Sequence, residues 1–495
     1  MRTRTLKQII ALTLCAGMLM TGSYAEVAGP ASPTAPVPPA PPTVPNPVAP
    51  SAPLGSPSEA SGSASQGPVS PFACPAEVIR IPLNKRMDLA ALIRSPADSA
   101  YSVSNAKVAR VTGDGLVVPL AKGEAAVIAK GWKQEPDGAF QAYTCAARIQ
   151  IADAVSVKLT TQPKAELRKI KVGKKTFDVH TVTIPKGMPV DIGLAGNAVG
   201  KVEALKSLAA RRKADFAVNG TFFEAYDEEG DPQEPLGNLI KDGEAVHLGN
   251  YGTTIGFTAD GRAKMDTLRI KIQGGGNGSY TYPNNWYATF ANRTPNPEGN
   301  SSILFTPARG AKLGFAYGTA VVVKAGVVAQ IAEDTDVAIP RDGFVVVLNG
   351  AERKSLRAKF EVGKRIHYRL KYTDMNGKEI DWGDVVTAVG AGPRVLKDGQ
   401  AYNDAVTEGF KQEKILSTPA ARSGIGIRKD GSVVIVTVNN ATIKDLGEIL
   451  RAAGAAQGMN LDGGASSGLF AAGRMLTAPG RQISNSLLFG VGLIH

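Results

Sequence analysis

A stretch of eight residues beginning at Asn460, NLDGGASS, places an amide, a carboxylate and two hydroxyls beside adjacent glycines. The chain has eight Asp-Gly dipeptides, and Asp-Gly is a common hairpin turn, so Asp462-Gly463 alone indicates only a turn. An ordinary hairpin does not need the flanking amide, the second glycine Gly464 or the serines. Glycines let a ligand approach the backbone, and side-chain oxygens serve as hydrogen-bond partners, base or nucleophile. We therefore predict that this segment, including Ser466, belongs to an active site.

Two helical patterns precede polar turns and would position them. Apolar residues recur at helical spacing over 202–212 and again over 443–453, where Thr442 and Asp445 form a capping-box pattern. Each predicted helix leads into a short strand and then a polar turn, Asn219-Gly220 after the first and the segment at Asn460 after the second. A helix, a strand and a turn thus form the predicted frame for both polar segments.

The same region also fits the nucleophile-elbow pattern G-x-S-x-G at 464–468, which is typical of serine hydrolases. That pattern requires an acid and then a histidine downstream. From Leu469 to His495 the sequence contains no Asp or Glu, and the residues after Gly468 resemble a strand and a glycine turn. We therefore reject a serine hydrolase.

The remaining candidate groups are carboxylates and arginines. Four histidines show no metal-type spacing, and neither a Walker loop nor a dinucleotide fingerprint is present, so we predict no cofactor and no metal ion. Charge runs such as 224–234 are usually solvated loops, but Glu224 lies closest to the first polar turn and is kept as a pocket candidate. Arg293, Arg394 and Arg422 lie among small residues; each alone suggests a surface salt bridge, but together they would suit a phosphate-bearing substrate.

The N-terminal part predicts export. Residues 1–25 have a basic start, an apolar run and a Ser-Tyr-Ala cleavage site, as in a secretory signal; an uncleaved anchor is the alternative. Residues 26–71 are rich in Pro, Ala and Ser and predict a disordered, extended linker. We expect a secreted, periplasmic or cell-envelope protein without a membrane span after signal removal. Cys74 and Cys145 would then form a disulfide.

Residues 72–153 predict a small all-β sandwich, because short β-type runs alternate with Ser-Asn, Asp-Gly and Lys-Gly turns. The string YSVSNAKVARVTGDGLVVPLAKGEAAVIAKG, which begins at Tyr101, resembles bacterial Ig-like domains of type 2. That resemblance implies a spacing or adhesive role. Residues 155–495 mix strands and helices without regular βαβ alternation, which predicts an α+β domain of mostly antiparallel sheets with a few flanking helices.

The formal charge of +12 is spread along the chain without a run of lysines and arginines. This pattern does not suggest a nucleic-acid partner. Outside a cell it suits a glycan, a sugar phosphate or an anionic wall polymer, although solubility alone also explains it.

Several segments together resemble the phosphodiester glycosidase family. In chain order they are FAVNGTFF, PLGNLIKDGE, FANRTP, ILFTPARG, VGAGPRVLKDGQ, ARSGIGIRKDGSVVIVTV, MNLDGGASSGLF and ISNSLLFGVG. Two positions depart from the family pattern: Thr221 and Ala465 each stand where a glycine is usual. The resemblance implies hydrolysis of a glycosidic bond whose leaving group is a phosphate ester.

When a phosphate ester leaves, its negative charge must be stabilised, whereas protonation of the leaving oxygen matters less. The positive charge of arginine side chains suits that task. From the resemblance we expect Asp462, with Glu224 second, to activate water or stabilise the transition state. The predicted substrate-binding residues are Asn219, Gly220, Arg293, Arg394, Arg422, Asn460, Gly463, Gly464, Ser466 and Asn485, the last orienting the turn at Asp462. Two alternatives stay open at this point, a non-catalytic protein that binds wall glycan or anionic polymer in the same pocket, and a structural envelope protein.

Overall fold

Alternating and β-branched runs give most of the fold its strands. The computed structural model describes residues 70–96, 99–134, 140–226 and 230–493. The predicted signal and the predicted linker up to residue 69 lie outside the described residues. Among the described residues before 153, the strands are β1 Ile79–Pro82, β2 Met87–Asp88, β3 Ala100–Val103, β4 Ala109–Val111, β5 Leu116–Pro119, β6 Gly123–Gln134 and β7 Phe140–Ala152.

The described strands after 153 continue this numbering. They are β8 Lys164–Val172, β9 Lys175–Ile184, β10 Val190–Leu194, β11 Phe216–Asn219, β12 Leu239–Lys241, β13 Glu244–His247, β14 Thr253–Thr258, β15 Ala263–Asp266, β16 Leu268–Gly276, β17 Trp286–Ala288, β18 Phe290–Ala291, β19 Ser301–Phe305, β20 Thr319–Lys324, β21 Val327–Glu333, β22 Gly343–Asn349, β23 Ile366–Asp374, β24 Val385–Ala391, β25 Arg394–Lys397, β26 Gln400–Ala401, β27 Ala420–Arg428, β28 Val433–Ala441, β29 Ala455–Asn460, β30 Leu469–Ala471, β31 Arg474–Thr477 and β32 Asn485–Phe489.

Helices are few and short in the described part of the chain. They are α1 Leu89–Leu92, α2 Leu205–Arg211, α3 Ala351–Leu356, α4 Glu413–Leu416 and α5 Ile443–Ala452, with single 3-10 turns at Ala195–Asn197, Pro307–Arg309, Arg357–Lys359 and Gly464–Ser466. The architecture is thus mostly β with several antiparallel sheets and few helices, in keeping with the predicted α+β class.

Three sheets share the central core. A seven-stranded sheet has the order β26-β25-β29-β27-β28-β9-β8, and two five-stranded sheets have the orders β10-β32-β11-β30-β31 and β13-β12-β24-β14-β15. Buried side chains from all three sheets, such as Val218, Val389 and Met459, belong to one hydrophobic cluster. Apolar contact between the sheets therefore fixes where the ends of their strands lie, and the polar turns sit at those ends.

The two longer helices cover the outer faces of these sheets. Leu446, Ile449 and Leu450 of α5 pack on the seven-stranded sheet, and Leu205 and Leu208 of α2 belong to the cluster on the sheet that contains β11. The predicted capping box of α5 is confirmed, because the side chain and the backbone of its N-cap and N3 residues bond reciprocally.

Helix α2 begins three residues later than predicted. Glu203 forms a β-bridge with Ile483 and Ala204 has an extended backbone, so these residues pair across the fold before the helix starts. Both helices are followed by the predicted short strand, β11 after α2 and β29 after α5. The predicted helix, strand and turn frame is therefore confirmed for both polar segments.

Residues 70–153 have a hydrophobic core of their own. A four-stranded sheet, β1-β7-β6-β3, and a three-stranded sheet, β2-β5-β4, contribute Ile81, Val117 and Ile149 to one cluster. The predicted disulfide between Cys74 and Cys145 is present, with the two Cα atoms 5.6 Å apart. It joins the chain ahead of the first strand to the last strand of this N-terminal module.

The N-terminal module packs against the turn between β12 and β13. Arg86 pairs with Asp242 at this turn, and Arg110 lies 3.1 Å from the carboxylate of Glu244. A Cβ placed on Gly243 would lie 3.0 Å from the side chain of Leu116. Ion pairs and close packing together thus hold the module on the C-terminal part of the chain.

Two further sheets lie beyond this core. The three-stranded sheet β17-β16-β23 and the five-stranded sheet β18-β19-β22-β20-β21 pack their apolar faces into a second cluster that also includes Ile240 and Ala388 of the neighbouring sheet. Apart from β1 with β7 and β18 with β19, the strand pairs described here are antiparallel. These outer sheets support the sheet that carries the loops next to the candidate site.

Candidate functional site

The polar turns after β11 and β29 meet at one end of the central core. The backbone N–H of Asp462 donates to the carbonyl of Gly220 at 3.1 Å, and the N–H of Leu461 donates to Ser423 at 2.9 Å. The turn after β29 is therefore bonded to two sheets at once. Strands that lie far apart in the sequence converge here, and the candidate carboxylate sits at the junction.

The side chain of Asn219 forms hydrogen bonds with several segments at this junction. Its amide nitrogen donates to the carbonyl of Asp462 at 2.8 Å, and its amide oxygen accepts from the Ser423 hydroxyl at 2.7 Å and the Gly468 N–H at 3.0 Å. The side chain is 1% exposed. These internal bonds connect Asn219 to the Asp462 turn and to β27, and sugar binding by its amide stays a prediction.

Asn485 supports the same junction from β32. Its side-chain oxygen accepts from the N–H of Thr221 at 2.9 Å, and its carbonyl accepts from the N–H of Gly220 at 3.1 Å. A Cβ added to Gly220 would lie 2.0 Å from that side-chain oxygen, so this approach requires glycine. Asn485 thus holds the backbone that in turn accepts the N–H of Asp462.

The Asp462 carboxyl lies in a protein environment but keeps part of its surface in solvent. Burial raises its pKa to about 6, and hydrogen bonds from the Ser466 hydroxyl and the Gly463 N–H partly oppose the rise. The positive charges of Arg481 and Lys414 oppose it further. A carboxylate with a pKa just below neutral is a suitable proton acceptor for water at physiological pH.

The two glycines that follow Asp462 are explained by different features, a close contact at the first and a left-handed backbone conformation at the second. Gly463 passes close to β27, because a Cβ there would lie 3.1 Å from the carbonyl of Ala421 and 3.7 Å from the guanidinium of Arg422. Gly464 has a φ of +61°, which favours glycine. The turn therefore approaches its neighbours more closely than a side chain would permit.

Asn460 is fully buried and contributes to the neighbouring turn. Its amide nitrogen donates to the carbonyl of Gly392 at 2.9 Å, whereas its amide oxygen is buried without a hydrogen-bond partner among the described residues. The hydroxyls of Thr221 and Ser467 are also buried without a partner in the described part of the chain. Such buried polar atoms need a partner, and water or a bound ligand can supply it.

Two of the three predicted arginines have internal partners. Arg422 donates to the main-chain carbonyls of Thr418 at 2.7 Å and Ala441 at 3.1 Å. Arg394 bonds to the side chain of Gln457, and its backbone N–H donates to the buried Glu408. Phosphate binding was predicted for both side chains. In the structure their guanidinium groups donate to backbone and amide acceptors, and phosphate binding by either side chain stays a prediction.

Arg293 and Glu224 share an electrostatic neighbourhood with Asp462 around Tyr251. Burial raises the pKa of Tyr251, the negative charges of Asp462 and Glu224 raise it further, and the charge of Arg293 opposes them. The Arg293 guanidinium lies 4.7 Å from the ring centre of Phe290. The charges of the two predicted carboxylates and of one predicted arginine therefore all influence the hydroxyl of Tyr251.

Tyr251 and Arg481 are site residues that sequence reasoning missed. Tyr251 packs its ring 5.4 Å from that of Phe410, in a turn between β13 and β14 that carries no motif. Arg481 lies in the loop before β32 and influences Asp462 through its charge. Its position two residues before the quoted ISNSLL string is the signal that could have drawn attention to it.

The described residues contain neither a metal-type cluster nor a membrane-spanning helix. Where the structure describes the chain, there is no group of three or more His, Cys, Asp or Glu side chains arranged to hold a metal ion. Within those residues no helix has both the length and the apolar character that a membrane crossing requires.

Part of the candidate site lies in a region that matches a known protein family. Residues 317–490 match the family model described as phosphodiester glycosidase, a range that includes Arg394, Arg422, Asn460, Asp462 and Asn485. Asn219, Glu224, Tyr251 and Arg293 lie before it. No curated protein matches the chain.

Solved structures provide likenesses of fold. A hypothetical protein from Synechocystis is 19% identical, with a TM-score of 0.57 over 79% of this chain and 80% of its own. A Burkholderia pseudomallei protein described as a candidate exported protein is 17% identical, with a TM-score of 0.51 over 80% and 97%. The zebrafish N-acetylglucosamine-1-phosphodiester alpha-N-acetylglucosaminidase catalytic domain, auto-inhibited by its pro-peptide, is 13% identical, with a TM-score of 0.34 over 79% and 88%. Residues 317–490 are thus similar to the phosphodiester glycosidase family model, and the fold is similar to those of the Synechocystis and Burkholderia proteins.

Proposed function

We propose that this protein hydrolyses the glycosidic bond of a sugar-1-phosphodiester, with Asp462 as the carboxylate that activates water. The observation that carries the proposal is the Asp462 turn at the junction of two sheets, where Asn219 and Gly220 bond to the backbone of Asp462 and burial raises the pKa of its carboxyl to about 6. The family match over 317–490 supports the reaction class, because it includes this turn.

In the proposed reaction, a water oxygen bonds to the anomeric carbon and the bond between that carbon and the phosphate oxygen breaks. The electron pair of the broken bond goes to the phosphate oxygen, which leaves as a phosphate monoester, and one water proton goes to Asp462. The products are the free sugar and the phosphorylated aglycone. Arg293 and Asp462 both influence the pKa of Tyr251 through their charges, and in this proposal Arg293 and Tyr251 stabilise the charge that develops on the leaving phosphate.

Glu224 is the second carboxylate in this proposal. It raises the pKa of Tyr251 through its charge, as Asp462 does, so both acids act on one hydroxyl. A Tyr251 that stays protonated over the physiological range can donate a hydrogen bond to a substrate oxygen. We assign Glu224 to substrate positioning and Asp462 to water activation.

We also propose that the protein acts outside the cytoplasm, on a cell-envelope or extracellular glycan. The disulfide between Cys74 and Cys145 supports an oxidising compartment, and the predicted signal at 1–25 agrees with it. The N-terminal module, for which the sequence predicts an Ig-like domain, would hold the hydrolase domain near its polymer.

Hydrolysis of the methyl phosphodiester of N-acetylglucosamine 1-phosphate in ¹⁸O-labelled water tests the reaction class. The proposal predicts free sugar that carries ¹⁸O at the anomeric position and unlabelled methyl phosphate. Label in the phosphate would indicate cleavage of the P–O bond and a different class of enzyme. Binding of the diester without turnover would favour the non-catalytic alternative.

A further inference from the structure

A cleft of about 390 Å³ opens beside the Asp462 turn. Ala465, which follows the turn, and Gly480 form part of its wall, and the N–H of Gly480 donates to the carbonyl of Ala465 at 2.7 Å. Tyr226 and Arg481 line the cleft as well. The cleft therefore borders the loop that carries the proposed catalytic carboxylate.

Arg481 and Tyr226 form a fixed pair in this cleft. A guanidinium nitrogen of Arg481 donates to the Tyr226 hydroxyl at 2.8 Å, and the guanidinium lies 4.7 Å from the centre of the tyrosine ring. Tyr226 is nevertheless 81% exposed. Arginine has five N–H donors in a planar fork, so one bond to the tyrosine leaves most of the fork available for an anion.

The charge of Arg481 also reaches the proposed catalytic site. It lowers the pKa of Asp462, as does the charge of Lys414. A substrate whose sugar lies at Asp462 and whose aglycone extends along the cleft therefore carries the next phosphodiester of that aglycone, beyond the scissile one, into a region of positive potential. The arginines that the sequence first suggested for this task, Arg394 and Arg422, are occupied by internal acceptors.

We propose that this cleft binds the leaving-group side of the substrate, with Arg481 holding the phosphodiester that follows the scissile one and Tyr226 packing against the adjoining polyol or sugar unit. The apolar face of a sugar or polyol packs well on an exposed aromatic ring, and a guanidinium binds two phosphate oxygens together. The ligand class is a chain of phosphodiester-linked polyol or sugar units. This inference rests on the proposed function for its orientation but has a binding test of its own.

The kinetic arm compares two substrates with the same sugar on the full chain, one with a methyl phosphate aglycone and one with a tri(glycerol phosphate) aglycone. Arg481→Gln is expected to raise KM at least about tenfold for the long aglycone, about 1.4 kcal/mol, and less than threefold for the methyl ester. Tyr226→Ala should show the same selectivity. An equal effect on both substrates, or none, overturns the proposal.

Matched controls come from the same chain. Tyr282 is 83% exposed and lies 4.7 Å from the ammonium of Lys359, so Tyr282→Ala removes a similar exposed pair away from the cleft. Arg474→Gln removes one exposed positive charge from β31. Neither control is expected to change KM for the long aglycone, and a loss equal to that of Arg481→Gln would contradict a local site.

The binding arm separates this proposal from the proposed function. Calorimetry with glycerol phosphate trimer, which has no anomeric bond, is expected to show binding that weakens at least about tenfold in Arg481→Gln. Arg481→Lys keeps the charge without the fork and should recover part of the affinity. If no diester is hydrolysed but the trimer binds through Arg481, the cleft assignment stands and the catalytic one fails. Absence of Arg481-dependent binding overturns the cleft, whatever the turnover.

Discussion

Replacing Asp462 by Asn should stabilise the protein above pH 6 while it removes the proposed catalytic base. Burial raises the pKa of Asp462 from 3.8 to about 6, so the folded protein favours the neutral carboxyl. Because the folded pKa is raised, the group is most favourable to folding below pH 3.8, and that contribution is lost as the pH rises through 6. Asparagine is neutral at every pH and retains an oxygen that can accept from the Gly463 N–H.

The rise in the pKa of Asp462 from 3.8 to about 6 corresponds to about 3 kcal/mol of unfolding free energy, at 1.36 kcal/mol per pKa unit. The carboxyl keeps some contact with solvent, so this value is an upper limit and we expect about 1–2 kcal/mol. For a chain of this length that is a rise in Tm of roughly 1–2 °C at pH 8. At pH 4 the difference should shrink toward zero.

Differential scanning calorimetry of wild type and Asp462→Asn from pH 4 to 8 measures this effect. Asp342→Asn is the matched control, because Asp342 also precedes a glycine but is exposed. Intact mass should accompany each scan, since asparagine before glycine deamidates. A Tm of Asp462→Asn that is lower than that of wild type at pH 8, or a gain independent of pH, would refute the reasoning about burial.

Three further substitutions follow from the geometry. Asn219→Ala removes three buried hydrogen bonds and should cost about 3 kcal/mol of unfolding free energy in denaturant titrations, with loss of turnover because the turn is released. Gly220→Ala should cost about 1–3 kcal/mol by the same titration, because the new methyl would lie 2.0 Å from the Asn485 side-chain oxygen; unchanged stability would contradict that contact. Replacing Cys74 and Cys145 by Ala removes a cross-link between residues 71 apart and should cost the N-terminal module about 4 kcal/mol, seen as faster proteolysis there; wild-type resistance would contradict it.

The elements that frame the site could be predicted because their signals are local. Helical spacing and the capping box predicted α5. The predicted order of a helix, a strand and a polar turn is present at both polar segments. The start of α2 was misplaced because Glu203 pairs with Ile483, a contact that no local pattern encodes. The disulfide followed from the even number of cysteines expected after export.

The side-chain roles depended on distant partners and were harder to predict. Asn219 bonds to the carbonyl of Asp462, which is 243 residues away in the sequence, and only the folded chain brings the two residues together. The loop carbonyls that accept from the guanidinium of Arg422 likewise could not be identified from the sequence around it. Tyr251 lies in an unremarkable turn and reaches the site only through the packing of the sheets.

The single-turnover rate of sugar release by Asp462→Asn tests the central claim most directly. With saturating sugar-1-phosphodiester at pH 7, we predict a loss of at least about 10²-fold relative to wild type, in a protein that is folded and no less stable. Wild type should itself lose activity below pH 6 as the carboxyl is protonated. Release of free sugar by the variant at the wild-type rate would contradict the assignment of Asp462 as the group that activates water.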